Sequence, residues 1–490
     1  DWANKYLGPE SYAIIYKREG KDPDEQKIAA PKITPIVTNR DSQSEFLSEI
    51  QTSQVQPIEP VFVDYKKDMS QFEAQPGIDV LYKKNETNDI FTLIYVFNTG
   101  TENDPALNLA FNYLSYLGTD KMTAEEIASE MYDIACSFYM NAGANQSSIQ
   151  ITGLSENMGK AMEIVEGLIA GAKPDEAILE NLKGDMLKSR ADAKLNQSRC
   201  FGALQRYLFY GGDFIRRTTL TDPALQALTS EQLLAKIGGL MGKQHEVLYY
   251  GPQKEAEVKS ALAEHHKVAA DLQPLEKKFS TLLPTDANKV VLAQYDAKQL
   301  YYLQFSNRGE KFDVAADPEI TLYNEYFGGG MNTIVFQEMR EARGLAYTAW
   351  ATLATPSNAN GDYSYYAFIA TQNDKMQKAV EAFDDIINNM PESEKAFGIA
   401  KEALVSRLRT ERTVKDGVLW SYLRARDLGL DAPRDKQIFE KVQSMTLDDV
   451  KAAQQKWVKG RKYVYGILGD IQNLDLNYLK TLGPIQTVSQ

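Results

Sequence analysis

Two spacings of apolar residues alternate along the chain. Runs of strand length, rich in β-branched and aromatic residues, occur at "DVLYKKN" (79–85), "FTLIYVF" (91–97), "KVVLAQY" (289–295) and "QLYYLQF" (299–305). This pattern fits strands with one or both faces buried. Between the runs the spacing changes to three and four. In "MGKAMEIVEGLIAGA" (158–172), Met158, Ala161, Met162, Ile164, Val165, Leu168 and Ile169 form one apolar stripe, which predicts an amphipathic helix. Further strands are predicted at "SSIQITGL" (147–154), "HEVLYYG" (245–251), "YSYYAFIAT" (363–371) and "YVYGILG" (463–469).

The order of these elements repeats. "KAMEIVEGLI" from Lys160 parallels "KAVEAFDDII" from Lys378, an offset of 218 (378 − 160). "KGDMLKSR" from Lys183 parallels "KEALVSR" from Lys401. "LTSEQLLAKIGGLMGKQHEVLYYG" from Leu228 parallels "MTLDDVKAAQQKWVKGRKYVYGILG" from Met445. Upstream, the segment from Asn112 parallels the one from Asn324 with small gaps. Four pairs in one order mark a duplication. The first copy is assigned to 71–272 and the second to 273–490. Each reads as two strands, two helices, a strand, further helices and a closing strand. That order predicts an α+β fold of two tandem homologous units, each a sheet with helices packed on one face.

Residues 21–70 are different in kind. Pro23, Pro31, Pro35, Pro57 and Pro60 forbid a long helix, and the segment reads as an extended Pro- and charge-rich linker. Residues 1–20 follow the helix–turn–strand pattern of 240–252 and 454–470. They read as the terminal piece of an upstream domain in a processed or truncated chain.

Composition narrows the chemistry. A net charge of −13 argues against nucleic acid and anionic membrane surfaces as partners. No apolar run reaches the length of a bilayer span, and none reads as a signal peptide. Two cysteines, Cys136 and Cys200, exclude a disulfide scaffold or a four-cysteine zinc site. Whether they pair is left open, as is the compartment. Of the three histidines, His265 and His266 are adjacent and point about 100° apart on a helix. Glu264-His265-His266 could hold a metal, but a polar helix end before a linker is the simpler reading. His245 opens a strand and has no ligand-spaced partner. No self-sufficient metal site is therefore expected in this chain.

The densest stretch is "YFGGGMNTIVFQEMREARGLAYTA", Tyr326–Ala349. A phosphate loop would need a strand before Gly328, Gly329 and Gly330 and Lys-Ser/Thr after them; neither is present. The glycines instead suit a reversing helix end and a close backbone approach. At an offset of 209, Arg340 matches Met131 and Tyr347 matches Phe138 in the first copy. A guanidinium and a phenol thus replace two apolar groups, and both can donate hydrogen bonds to a developing oxyanion. Seven residues apart, they share a face if the helix continues. If Gly344 ends it, Tyr347 belongs to the next element. A surface Arg and a packed Tyr are the plain alternative.

The Gly-Gly-Gly-Met, Phe-x-x-x-Arg and Arg-Gly-Leu-Ala-Tyr elements resemble the C-terminal half of the pitrilysin/insulinase family of zinc peptidases, the inverzincins. The duplication and linker are similar too, and the resemblance covers nearly the whole chain. It implies the metallohydrolase fold shared by LuxS and the mitochondrial processing peptidase, arranged as a clam-shell chamber. In the family an N-terminal half carries H-x-x-E-H on a helix and binds zinc, with the motif Glu as general base. The C-terminal half supplies an Arg and a Tyr to the substrate carbonyl. Arg340 and Tyr347 match that pair, with Gly328, Gly329, Gly330 and Phe336 expected to line the substrate. Gly118-Thr119 place the metal motif on Leu109, Asn112 and Tyr113, which cannot ligate or act as a base. The resemblance therefore implies no cofactor in this chain, zinc on a separate N-terminal half, and peptide substrates. Peptide hydrolysis is expected only with that half present. The alternative is a non-catalytic subunit or scaffold of a related complex. A bacterial periplasm or export is the compartment that the larger members suggest.

Overall fold

The apolar runs become the middle of two sheets. The computed structural model describes residues 1–16, 20, 43–54 and 56–489. They divide into two compact units, Asp1–Pro57 and Ile58–Gln490. In the shorter unit a helix, Trp2–Tyr6, forms as expected. The expected strand after it does not: residues 12–16 belong to neither sheet, and a strand exists only through a hydrogen-bonded neighbour. Much of the linker assigned to 21–70 lies outside the described residues. Its described part contains a second helix, Glu45–Thr52, which Ser44 caps by accepting the Leu47 N–H.

In the longer unit the first sheet comprises β1 (Ser70–Gln75), β2 (Ile78–Lys84), β3 (Ile90–Phe97), β4 (Cys136–Ala142), β5 (Ser147–Leu154) and β6 (His245–Gly251). The second comprises β7 (Lys289–Gln294), β8 (Gln299–Ser306), β9 (Thr348–Ala354), β10 (Ser364–Gln372), β11 (Val464–Gly469) and β12 (Ile485–Val488). Their spatial orders are β1-β2-β6-β3-β5-β4 and β12-β7-β11-β8-β10-β9. In both, the closing strand is inserted at the centre, parallel to the first long strand and antiparallel to the second. That position explains why every residue of β6 and β11 is buried.

The registers confirm the duplication residue by residue. Leu93 pairs with Ile151 and Tyr249, and Tyr302 pairs with Ile369 and Ile467. The offsets are 209, 218 and 218, as the sequence repeat implies. Four strands escape the sequence reading: β1, β4, β9 and β12. All are edge strands, with a ladder on one side only. In β4 the exposed Tyr139 masks the period of two. In β9 the buried positions include the alanines 349 and 351, too small to register as an apolar face.

Helices cover one face of each sheet, as the α+β reading requires. Under the first sheet, Met158–Gly171 and Ser230–Leu240 pack on Leu93, Tyr95, Ile151 and Val247. Under the second, Asp317–Phe327 and Met376–Asn388 pack on Tyr302, Tyr365 and Ile467. The opposite faces are closed by exchange. Helix Gln197–Thr218, from the first copy and kinked at Gly211, lays Phe201, Leu204 and Leu208 on Val291, Leu303, Phe305 and Leu468 of the second sheet. Helix Gly417–Asp427, from the second copy, lays Val418, Leu419 and Leu423 on Leu81, Ile94, Val96 and Leu248 of the first. Each such buried side chain contributes about 1.5–3 kcal/mol. Gly466 makes the first contact possible, because a Cβ there would lie 2.3 Å from Leu208 Cδ1. At the far end of the second exchanged helix, Arg426 grips Glu246 with two hydrogen bonds (2.5 and 2.7 Å), and Lys277 pairs with Asp427 at 2.6 Å.

Candidate active-site half and its fit to a metal

Helix Asp317–Phe327 stops at Gly328, whose carbonyl accepts the Ala351 N–H of β9 at 3.0 Å. A Cβ on Gly328 would sit 1.9 Å from the Ala351 carbonyl oxygen. An added Cβ on Gly329 would meet nothing within 4 Å and one on Gly330 only Thr333 Cγ2 at 3.9 Å; both glycines form the exposed turn. Thr333 closes that turn by donating its N–H (3.1 Å) and hydroxyl (2.7 Å) to the Gly330 carbonyl. The chain enters the helical turn Ile334–Phe336, which widens into a π-helix over Gln337–Ala342. Such wide turns occur often at functional sites. Ile334, Val335 and Met339 point into the core, so Arg340 faces out.

Gly344, at φ 57°, ends this helix. Tyr347 therefore lies on the approach to β9, where its N–H donates to the Ala370 carbonyl at 3.0 Å. The two candidates still meet. The Arg340 guanidinium lies 5.0 Å from the Phe336 ring centre and 5.4 Å from the Tyr347 ring centre, stacked between them. Tyr347 is 68% exposed. Among the described residues Arg340 has only a loose ion pair, 3.7 Å to its neighbour Glu341, whereas Arg343 is tied to Glu338 and Asp385. An exposed guanidinium and phenol, pre-stacked side by side, present hydrogen-bond donors to an incoming oxygen. Phe336 joins the pair, Gly329 and Gly330 lie in the turn that precedes their helix, and Gly328 is a packing residue beneath β9.

One pairing is corrected by the strand register. Ala135 (φ 49°) and Gly344 both end their helices at an offset of 209, so Arg340 does correspond to Met131. After Gly344 the second copy carries two extra residues. Phe138 pairs with Ile151, while Ala349 pairs with the equivalent Ile369. The counterpart of Tyr347 is thus Cys136, not Phe138. Cys136 and Cys200 are both buried, and no disulfide joins them.

The positions where a metal motif would stand do not fit a metal. Leu109 is buried and has no donor atom. Tyr113 uses its hydroxyl internally: it accepts the Asp175 N–H at 2.7 Å and donates to Ser230 Oγ at 2.7 Å. Tyr326 repeats the device in the second copy, accepting the Ser393 N–H at 3.1 Å and donating to the Pro391 carbonyl at 2.7 Å. Asp175 and Ser393 are the N-caps of the equivalent helices Glu176–Lys194 and Glu394–Thr410. The site is therefore a structural clamp in both copies. Among the described residues no group of three or more His, Cys, Asp or Glu is placed to hold a metal ion.

The histidines differ from the sequence reading. His266 is not a polar helix end: it is buried and hydrogen-bonded to His245. Their Nε2 atoms are 2.8 Å apart, and His266 Nδ1 lies 2.6 Å from Glu166 Oε1. His245 Nδ1 faces the Lys243 carbonyl at 2.8 Å, so that nitrogen must donate and His245 Nε2 must accept. His266 then donates from Nε2, and its Nδ1 is hydrogen-bonded to Glu166. The Tyr95 ring packs 4.1 Å from His266. In the second copy, Asp384 and Tyr463 occupy the places of Glu166 and His245 (166 + 218 and 245 + 218), and Gln304 donates to Asp384 at 3.3 Å. The chain of groups ties β6 to the linker that follows helix Glu255–His265.

Burial and the neighbouring His266 push His245 down to about 4. Below about pH 6.5 the unfolded chain takes up the proton first, so stability falls as pH drops from about 6.5 to 4. The loss is about 1.4 kcal/mol per pH unit, about 3 kcal/mol over the window. Urea midpoints at pH 7.0 and 4.5 check this: His245→Gln is expected to flatten the dependence. An equal slope in the variant would assign it elsewhere.

Comparison with known proteins now places the fold. Residues 244–404, from β6 into helix Glu394–Thr410, match the family model "Peptidase M16 inactive domain". An uncharacterized zinc protease of Streptomyces coelicolor is 22% identical over 266 residues, which are 50% of this chain and 56% of that protein. The peptidase M16 inactive domain from Pseudomonas fluorescens superposes with a TM-score of 0.64 at 18% identity, covering 82% of this chain and 98% of that one. The periplasmic protease PqqL from Escherichia coli gives 0.65 at 14%, covering 91% of this chain and 49% of PqqL. The chain thus spans about half the length of PqqL and of the Streptomyces relative.

Together these define a two-unit α+β fold of the M16 peptidase kind. In sequence, residues 244–404 resemble the inactive domain of that family, and the chain carries no H-x-x-E-H motif.

Proposed function

We propose that this chain is the C-terminal half of a zinc metalloendopeptidase, with 71–272 as a non-catalytic unit and 273–490 as the unit that contacts substrate. It closes over a metal site on a separate N-terminal half, either the same parent chain or another subunit. The observation that carries the reading is the exposed Phe336–Arg340–Tyr347 stack beside β9. Arg340 and Tyr347 donate to the peptide carbonyl oxygen as it gains charge, and Phe336 holds the guanidinium in place. Leu109 is buried without a donor atom and Tyr113 is engaged in internal hydrogen bonds, which supports placing zinc on the other half. PqqL, similar in fold, is described as a periplasmic protease. That likeness in fold supports a periplasmic or exported location for this chain, and fractionation of the source cells checks it.

The test is fluorogenic peptide hydrolysis with zinc counted on the same sample. Neither activity nor zinc is expected for the chain alone, and both are expected when the N-terminal half is added. An inactive mixture, with a zinc-loaded partner and proven association, would overturn this reading in favour of a scaffold subunit. That second reading rests on the loss of the motif from both copies.

A further inference from the structure

The exchanged helix Gln197–Thr218 also forms a groove that the peptidase reading does not use. Where it passes β7 and β12, a space of about 970 Å³ opens between it, the end of helix Glu176–Lys194 and the last strand. That volume lies within the range of small-molecule sites, roughly 300–1,000 Å³. The floor is apolar, from Cys200, Leu204, Ile215, Leu220, Ala293 and Val488. Gln486 Nε2 donates to the Tyr207 hydroxyl at 3.0 Å and holds β12 against the helix.

The charged lining is one-sided: Arg190, Lys194, Arg199 and Arg206 against Asp222. Arg190 is already spent, paired with Asp222 and bonded to the Leu220 carbonyl at 2.6 Å. Arg206 donates to Thr218 Oγ1 at 3.0 Å and stacks on the Phe214 ring, which leaves other N–H groups free. Lys194 and Arg199 are exposed and have no ion-pair partner among the described residues. A local excess of three cations on a chain of net charge −13 reverses the sign of the surface at one apolar groove.

We propose that this groove binds an anionic amphiphile with a single aliphatic chain. The tail lies on the Leu204–Val488 floor, and a carboxylate, sulfate or phosphate head meets Lys194, Arg199 and Arg206. Arginine suits such heads because its planar fork binds two oxygens at once. The tail supplies affinity, roughly fourfold per methylene, and the cations select the sign of the head. The proposal stands independently of the peptidase reading.

The experiment is calorimetric titration of the full chain with laurate below its micelle concentration. One saturable site is expected. Decanoate, two methylenes shorter, is expected to bind roughly fifteenfold more weakly, and dodecyltrimethylammonium at least tenfold more weakly than laurate. Lys194→Glu with Arg199→Glu should weaken laurate at least tenfold without moving the melting temperature. Ala203→Trp, which fills the groove from the helix side, should weaken it as well. Displacement of laurate by lysophosphatidylglycerol would assign a phospholipid source, and failure to displace it a free fatty acid. Equal affinity for both head charges, unchanged binding in both variants, or sedimentation with phosphatidylglycerol vesicles without any laurate site would each overturn the proposal.

Discussion

Replacing Gly328 by alanine is expected to cost roughly 3 kcal/mol or more of stability. The added Cβ would stand 1.9 Å from the Ala351 carbonyl oxygen, which is backbone and cannot rotate away. To admit the methyl group, either helix Asp317–Phe327 or β9 has to shift. Both are held by buried neighbours, Phe327 on one side and Leu353 on the other. The hydrogen bond from Ala351 N–H to the Gly328 carbonyl is strained in the same movement. Gly329→Ala is the control. Its methyl group meets nothing within 4 Å, so a change within about 0.5 kcal/mol is expected. Chemical denaturation of the two variants separates the cases. Equal shifts in both would mean that chain flexibility, and not the close approach, is what glycine provides here. Under the proposed function the Gly328 variant should also lose activity when joined by the N-terminal half, because β9 carries the approach to Tyr347.

Under the proposed function, Arg340→Ala and Tyr347→Phe are expected to lower turnover of the two halves together roughly ten- to a thousandfold each, mainly in kcat. Neither should change the melting temperature much, since Tyr347 is 68% exposed and Arg340 makes only a loose ion pair. The separation matters. A purely structural role would move stability and leave kcat alone. A ground-state binding role would raise KM with kcat unchanged. Unchanged turnover in both variants would remove the oxyanion role altogether. Phe336→Leu offers a graded check: it keeps an apolar side chain but removes the ring face on which the guanidinium rests, so a smaller loss of kcat is expected.

The central strands and the amphipathic helices were legible because burial on both sides, or on one stripe, leaves a periodic trace in the residues themselves. The duplication was legible for the same reason, and the register reproduces its offsets of 209 and 218 through Leu93 and Tyr302. Edge strands leave a weaker trace, as Tyr139 in β4 and the alanines of β9 show. Of the site, the residue types and their spacing were visible, but the two-residue insertion after Gly344 was not. That insertion decides which first-copy residue stands opposite Tyr347. The His245–His266–Glu166 chain was invisible because its contacts span 21 and 100 residues, and no local pattern encodes such a meeting. An amphipathic helix declares which of its faces is buried, but not which sheet buries it. For that reason the traded positions of Gln197–Thr218 and Gly417–Asp427 had no signature.

That trade bears on how the molecule comes apart. Each copy, if severed from the other, would carry a naked apolar sheet face and an orphaned helix with nothing to lie on. The covalent connection near residues 267–288 is thus not what keeps the copies together. A single proteolytic nick there would yield two fragments that remain clasped, like hands with one finger exchanged. Heat or urea, by contrast, has to release both helices before either sheet face meets water, which makes the pair one cooperative melting body. Either copy expressed alone is therefore expected to expose that face and to aggregate.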